Sequence, residues 1–237
     1  MGIPISLAII AFAALIHASF QLSVSMLTML SGHAIGAKHS QKKLFNLTTN
    51  FLLGTATLTL LLITGLSFIL VNLFGADTPQ MVWAGACGLL FGVAISIWMF
   101  YYRRAKGTAL WIPRGVAKYL HDRTKATSMG AEAFGLGMSS VAGEILFIIA
   151  PLIIGALAIT QLPGVWQLLG VGIYTIISLS SITVVWMLIG GGHTLGRIQK
   201  WRENNKYFLQ FVAGAGLIVL SFFVYVYEIL GTAVGGM

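Results

Sequence analysis

Charge is scarce in this chain. Asp, Glu, Lys and Arg make up 8% of its 237 residues, and 57% are hydrophobic. Soluble domains carry about 25% charged residues, so the composition, with a mean hydropathy of +0.90, is that of a membrane protein. Cysteine is nearly absent. The single Cys87 excludes an internal disulfide, a CxxC redox pair and a cysteine-rich metal site, and it reads as a small buried side chain. Acidic residues number six against 14 basic ones, a formal net charge of +8. No basic cluster stands beside base-reading or stacking groups, so nucleic acid is not indicated as a partner. A Ser/His/Asp constellation, a nucleotide-binding signature and a compact ligand spacing such as HExxH are all missing. The chain therefore reads as a non-enzyme without cofactor or metal.

What is present is a series of six apolar stretches, each near the roughly 20 residues that cross a bilayer as a helix. They lie at Pro4–Ser31, Leu47–Phe74, Met81–Tyr102, Ala131–Ile159, Val165–Ile189 and Tyr207–Leu230. The opening MGIPISLAIIAFAALIHASF lacks the basic region and cleavage site of a signal peptide, so it is expected to be a retained first span. Glycines inside the spans are expected at close helix contacts. Trp83 and Trp166 at one set of span ends, and Trp98 and Trp186 toward the other, are expected to form interfacial belts.

Every Lys and Arg falls in three connections: Lys38 to Lys43, Arg103 to Lys125 and Arg197 to Lys206. The positive-inside rule then places these connections in the cytoplasm and both termini outside an inner or plasma membrane. Three units follow: a three-helix transmembrane repeat over 1–102, a basic linker over 103–128, and a second three-helix repeat over 129–237. In the linker, Trp111, Ile112, Val116, Tyr119 and Leu120 alternate with basic residues at helical spacing. An amphipathic helix on the inner leaflet is expected there, with Pro113 near its start.

With three spans on each side of the linker, the halves run in opposite directions, as inverted repeats do. An internal echo agrees. Ala11-Phe12 opens AFAALIHASFQLSVSMLTMLSGHAIG and Ala133-Phe134 opens AFGLGMSSVAGEILFIIAPLIIGALA. The linker KYLHDRTKATS, the following AEAFGLGMSS and the later Pro151 resemble the pattern that opens the second half in the LysE superfamily of small exporters. That superfamily includes the membrane domain of the DsbD/CcdA electron carriers. The resemblance spans most of the chain and implies an all-α integral membrane fold of six transmembrane helices in two inverted three-helix repeats, with an exporter's activity. The paired membrane cysteines of the thiol carriers are absent, which removes an electron relay.

Polar residues inside spans one and four are the candidate site. His17 and Gln21 are four apart in span one, and Ser140 and Glu144 are four apart in span four. A carboxylate at the bilayer centre costs roughly 2.5–3.5 kcal/mol on insertion scales, so such groups face a protein interior or a watery cavity. A midplane cluster of Glu144, His17, Gln21 and Ser140 follows, with Ser139 beside it and Pro151 loosening the helix. Its chemistry suits proton-coupled movement of a small polar or cationic solute, because imidazole and a desolvated carboxyl exchange protons near neutral pH. Two other readings stay open: a Glu144–His17 pair that only joins two helices, and a membrane subunit that binds a partner helix, a second copy or lipid. Glu132 is expected to cap its helix, and Glu228 to reach water near a span end.

Overall fold

Apolar sequence of this kind forms helices because lipid offers no partner for an unpaired backbone N–H or C=O. A computed structural model describes residues 2–20, 22–36, 41–75, 78–100, 113–191 and 195–231, and among these there is no strand. The helices are α1 (Ile3–Ser19), α2 (Leu22–Gly36), α3 (Gln41–Phe74), α4 (Gln80–Phe100), α5 (Arg114–Ala126) and α6 (Gly130–Thr160). They continue with α7 (Gly164–Ser178), α8 (Ser180–Gly190), α9 (Leu195–Asn204) and α10 (Lys206–Val224), which runs on as a π-helical segment, Tyr225–Leu230. Four helices are long and apolar enough to cross a membrane: α3, α4, α6 and α10 with its extension. The count reaches six if α1 with α2 and α7 with α8 are each one bent span.

Those two bends fall inside stretches that the sequence presents as single apolar spans. α1 meets α2 at 44° and α7 meets α8 at 50°. The proline expected to loosen span four does not break it: α6 runs unbroken through Pro151. Proline removes one N–H and crowds the preceding turn, but here Pro151 is buried among packed neighbours that hold the helix. The bends fall instead at Phe20, where the chain turns extended (φ −74°, ψ 145°), and at Leu179.

The bundle is held at its centre by α3 and α6, which approach backbone to backbone. Gly54 lies against the Phe134 carbonyl and Gly137 against the Phe51 carbonyl, so a methyl group at either position would occupy the neighbour's backbone. The Thr55 hydroxyl, 3.0 Å from Phe51 O, also lies 3.4 Å from Gly137 O across the contact. Small residues permit this approach, and close packing is the main attraction between helices in lipid.

α4 and α10 make a second tight pair. Gly214 is covered by the Trp98 ring, and Trp98 Nε1 donates to Phe211 O at 3.3 Å. Gln210 Nε2 donates to Ile97 O at 2.5 Å. Cys87 Sγ and Ser221 O lie 3.6 Å apart, while the Ser221 hydroxyl donates to Cys87 O at 3.0 Å. The lone cysteine is thus part of a helix contact.

Several residues sit differently from the expected belts. Trp83 is 2% exposed and belongs to the core, because α4 turns it inward with Ala86 and Leu90. Glu228 is buried at 8% exposure rather than reaching water. The linker helix exists as α5, with Pro113 just before it, but its apolar side faces protein. Val116 and Leu120 lie over Gly143 of α6, and Tyr119 is the aromatic left outside. Trp111 and Ile112 lie outside the described residues.

The α3–α6 contact makes a prediction for thermal unfolding of the purified protein. Gly54→Ala or Gly137→Ala should destabilise it by about 1–3 kcal/mol or more through overpacking. Gly65→Ala, on the same α3 helix with open space around it, should leave the midpoint unchanged or raise it.

Candidate functional site

A helix that breaks inside an apolar bundle exposes the first N–H groups of its second half. At the α1–α2 break that need is met from another span. Glu144 of α6, 3% exposed, accepts a hydrogen bond at Oε1 from the Leu22 backbone N–H at 2.8 Å. Leu22 is the first residue of α2, so the carboxylate sits at the positive end of that helix dipole. One turn earlier on α6, Ser140 meets Ser23 of α2, hydroxyl to hydroxyl at 3.0 Å, while donating to Gly137 O at 2.7 Å. The expected pairing of Ser140 with Glu144 on one face is therefore present, and that face is turned to the break.

His17, in the last turn of α1, lies on the other side of the break. Its Nδ1 shares a hydrogen bond of 3.1 Å with the Tyr174 hydroxyl of α7. Tyr174 is fully buried because Gly155 of α6 leaves room for its ring. Each group thus has its own partner. Glu144 holds the start of α2 and His17 holds Tyr174, so no direct pair between them is needed to explain their burial.

A small cavity of about 20 Å³ lies between them. It is lined by His17, Phe20 and Ser23 from around the first break, Thr55 and Thr59 of α3, Glu144 of α6, and Ser178, Leu179 and Ser181 from around the second break. Both helix breaks therefore open on one polar spot. Two of the lining hydroxyls spend their protons locally. Thr55 donates to Phe51 O at 3.0 Å and Ser178 to Thr175 O at 3.0 Å. Thr59 differs, since its Oγ1 is 1% exposed by residue and has no hydrogen-bond partner among the described residues.

One positive charge is close enough to act on the carboxylate. Arg202 of α9, 3% exposed, donates to Ser25 Oγ of α2 at 2.7 Å and interacts electrostatically with Glu144. Beside this group lies a larger cavity of about 640 Å³. Its walls are almost wholly apolar, formed by residues such as Leu15, Val184, Leu188 and Leu209, with Trp201 and Arg202 at one side. Val24 and Ser181 line both cavities.

Of the residues expected at a midplane site, the structure brings together His17, Glu144 and, through Ser23, Ser140. Gln21 lies outside the described residues, and α1, which carries His17, ends at Ser19. Ser139 bonds to Gly135 O at 2.9 Å and lines a separate pocket with Glu132 and Arg123. Pro151 lies seven residues beyond Glu144, about 10 Å along the helix, and does not line the cavity. Glu132 closes the start of α6, accepting from the Ser128 and Met129 N–H groups at 2.7 and 3.1 Å. Among the described residues no three His, Cys, Asp or Glu side chains gather as a metal site.

Tyr174, Thr55, Thr59, Ser178 and Ser181 were not singled out in the sequence. A partial signal existed in Thr55 and Thr59, which are four apart and so share a face of α3. The serines at the second break gave none, because Ser and Thr hydroxyls are common inside spans as local carbonyl partners. No family model matches the chain, and neither the curated proteins nor the solved structures give a match.

The Glu144–Leu22 bond makes a stability prediction. Glu144→Ala leaves the α2 N–H groups without an acceptor and should cost about 1–3 kcal/mol in thermal or denaturant unfolding. Glu144→Gln keeps an acceptor oxygen in place and should retain most of that stability. Equal losses in both variants would mean that the charge, and not the acceptor, holds the break.

Proposed function

We propose that this protein is a secondary transporter of the LysE-like kind, a proton-coupled exporter of a small polar or cationic solute. In this reading Glu144 is the proton- or cation-responsive group, and His17 and Ser140 belong to the surrounding site. The observation that carries it is the meeting of two broken spans at one polar cavity containing a buried carboxylate. Discontinuous helices at a shared polar spot are how many transporter folds build their sites, because half-helix ends supply partial charges that a continuous span does not. A purely structural carboxylate would explain the α2 cap but not why the second break lies at the same place.

The packing favours two inverted three-helix repeats. Take α1 with α2 as span one, α3 and α4 as two and three, α6 as four, α7 with α8 as five, and α10 as six. Exchange of one with four, two with five and three with six then maps the main contacts onto one another. Two packs on four as five packs on one, and one packs on six as four packs on three. Spans one and two pack together, as do four and five, and each span packs on its own counterpart. The bends, in spans one and five, break this symmetry. In this reading both termini lie outside a bacterial inner or plasma membrane, and the charge distribution of the connections supports that orientation.

One observation favours a second reading, a membrane subunit that binds a partner helix or lipid. The 640 Å³ cavity is lined by apolar groups and opens beside α9, as a surface for an acyl chain or a helix would.

Reconstitution separates the two. Pure protein in liposomes with a pH-sensitive dye inside should move protons when the right solute is added. Cations, amino acids and small anions are screened in turn, and Glu144→Gln should reduce the movement at least tenfold while remaining folded. Solute-dependent flux that is equal in both proteins would remove Glu144 from the coupling role. No flux with any solute would favour the subunit reading.

A further inference from the structure

We propose that the cavity where the two breaks meet is a binding site for one dehydrated monovalent cation of about sodium's size, which exchanges with a proton on Glu144. The inference deepens the transport reading by naming the solute of that site; the binding itself does not depend on transport.

The size of the cavity is the first argument. About 20 Å³ holds one water-sized particle, because roughly 10–15 Å³ is the minimum for a single water. No amino acid or other organic solute fits there. The second argument is the sign of the lining. Thr55 and Ser178 direct their hydroxyl protons to carbonyls of their own helices, so their remaining lone pairs are what they can offer outward. With the Glu144 carboxylate these are oxygen ligands for a hard cation and not donors for an anion. The third is Thr59. Its hydroxyl oxygen is deeply buried, lines this cavity and has no partner among the described residues, whereas buried polar groups are ordinarily satisfied. A cation coordinated there would satisfy it.

Charge balance sets the exchange. Glu144 as a carboxylic acid carries no charge; on binding Na⁺ it gives up one proton, and the carboxylate with its Na⁺ again sums to zero, so the charge of the site beside Arg202 is unchanged and no other bond is formed or broken. The other groups around Glu144 are consistent with one charge being exchanged. α1 presents His17, which is bonded to Tyr174 of α7; α9 presents Arg202; α2, α3 and α8 present hydroxyls and backbone. α5 turns Tyr119 and Arg123 to the pocket that contains Glu132, and Cys87 of α4 is engaged with Ser221 of α10. Arg202 opposes a second positive charge, so binding should be in the millimolar range and weaken as pH falls.

The test is thermal unfolding of the detergent-purified protein at constant ionic strength in sodium, potassium or choline chloride. Sodium should raise the midpoint saturably by several degrees relative to choline, as a ligand of the native state does. Potassium should do so less. Sodium added to weakly buffered protein should also release protons. Thr59→Val keeps the side-chain shape and removes an unpartnered hydroxyl, so in choline it should unfold at or above the wild-type temperature. Its half-saturating sodium concentration should rise roughly tenfold. Glu144→Gln should lose both the sodium response and the proton release. Equal midpoints in all three salts overturn the inference, as does a sodium response that both variants keep. Failure here and failure of the transport reading are distinguishable. Solute-driven flux without a sodium response removes the ion site alone, and a sodium response without flux removes transport alone.

Discussion

The α2 helix begins in the interior of an apolar bundle, and this requirement controls the rest of the arrangement. Its first N–H groups cannot be hydrated there, so an acceptor has to come from another span. Glu144 supplies it at 2.8 Å from the Leu22 N–H. The carboxylate in turn requires a companion for its own charge, which the helix end and Arg202 provide. Burial of one acidic group is therefore tied to the bend in span one, to the position of α9 and to the close approach of α6. Any one of these features without the others would leave a polar group stranded in a medium that penalises it.

Tight packing and open polarity are divided between different helices. α3 with α6, and α4 with α10, meet through glycines and carry the close contacts. α1 with α2, and α7 with α8, are bent and bring hydroxyls and backbone ends to the cavity. The division has a physical origin. A glycine contact holds only while both helices stay regular along its length, whereas a polar site gains from ends and breaks. α6 serves both: its Gly137 packs on α3, and Glu144, two turns later, faces the break.

Much of this was legible in the sequence, for identifiable reasons. Span positions could be read because roughly 20 apolar residues between basic connections admit few alternatives, and the helices fall within a few residues of the expected bounds. Glu144 and His17 stood out because titratable side chains are costly in such stretches. The breaks were not legible, since neither Phe20-Gln21 nor Ser178-Leu179-Ser180 contains a proline or glycine, and the proline that did attract attention, Pro151, lies in a continuous helix. Trp83 was misassigned because a tryptophan near a span end looks the same in sequence whether it faces lipid or core. Thr59 was hidden by its ordinariness; only the absence of a partner distinguishes it from the other hydroxyls, and that is a property of three dimensions.

The backbone contact of α3 with α6 has a further consequence. Two helices that touch carbonyl to Cα at both Gly54 and Gly137 cannot slide or roll on each other without a steric clash. They behave as a single strut. The half-helices that follow the two bends, α2 and α8, lie in contact with each other. The bundle thus sets one regular pair, α3 with α6, against two bent pairs whose breaks meet at the polar cavity.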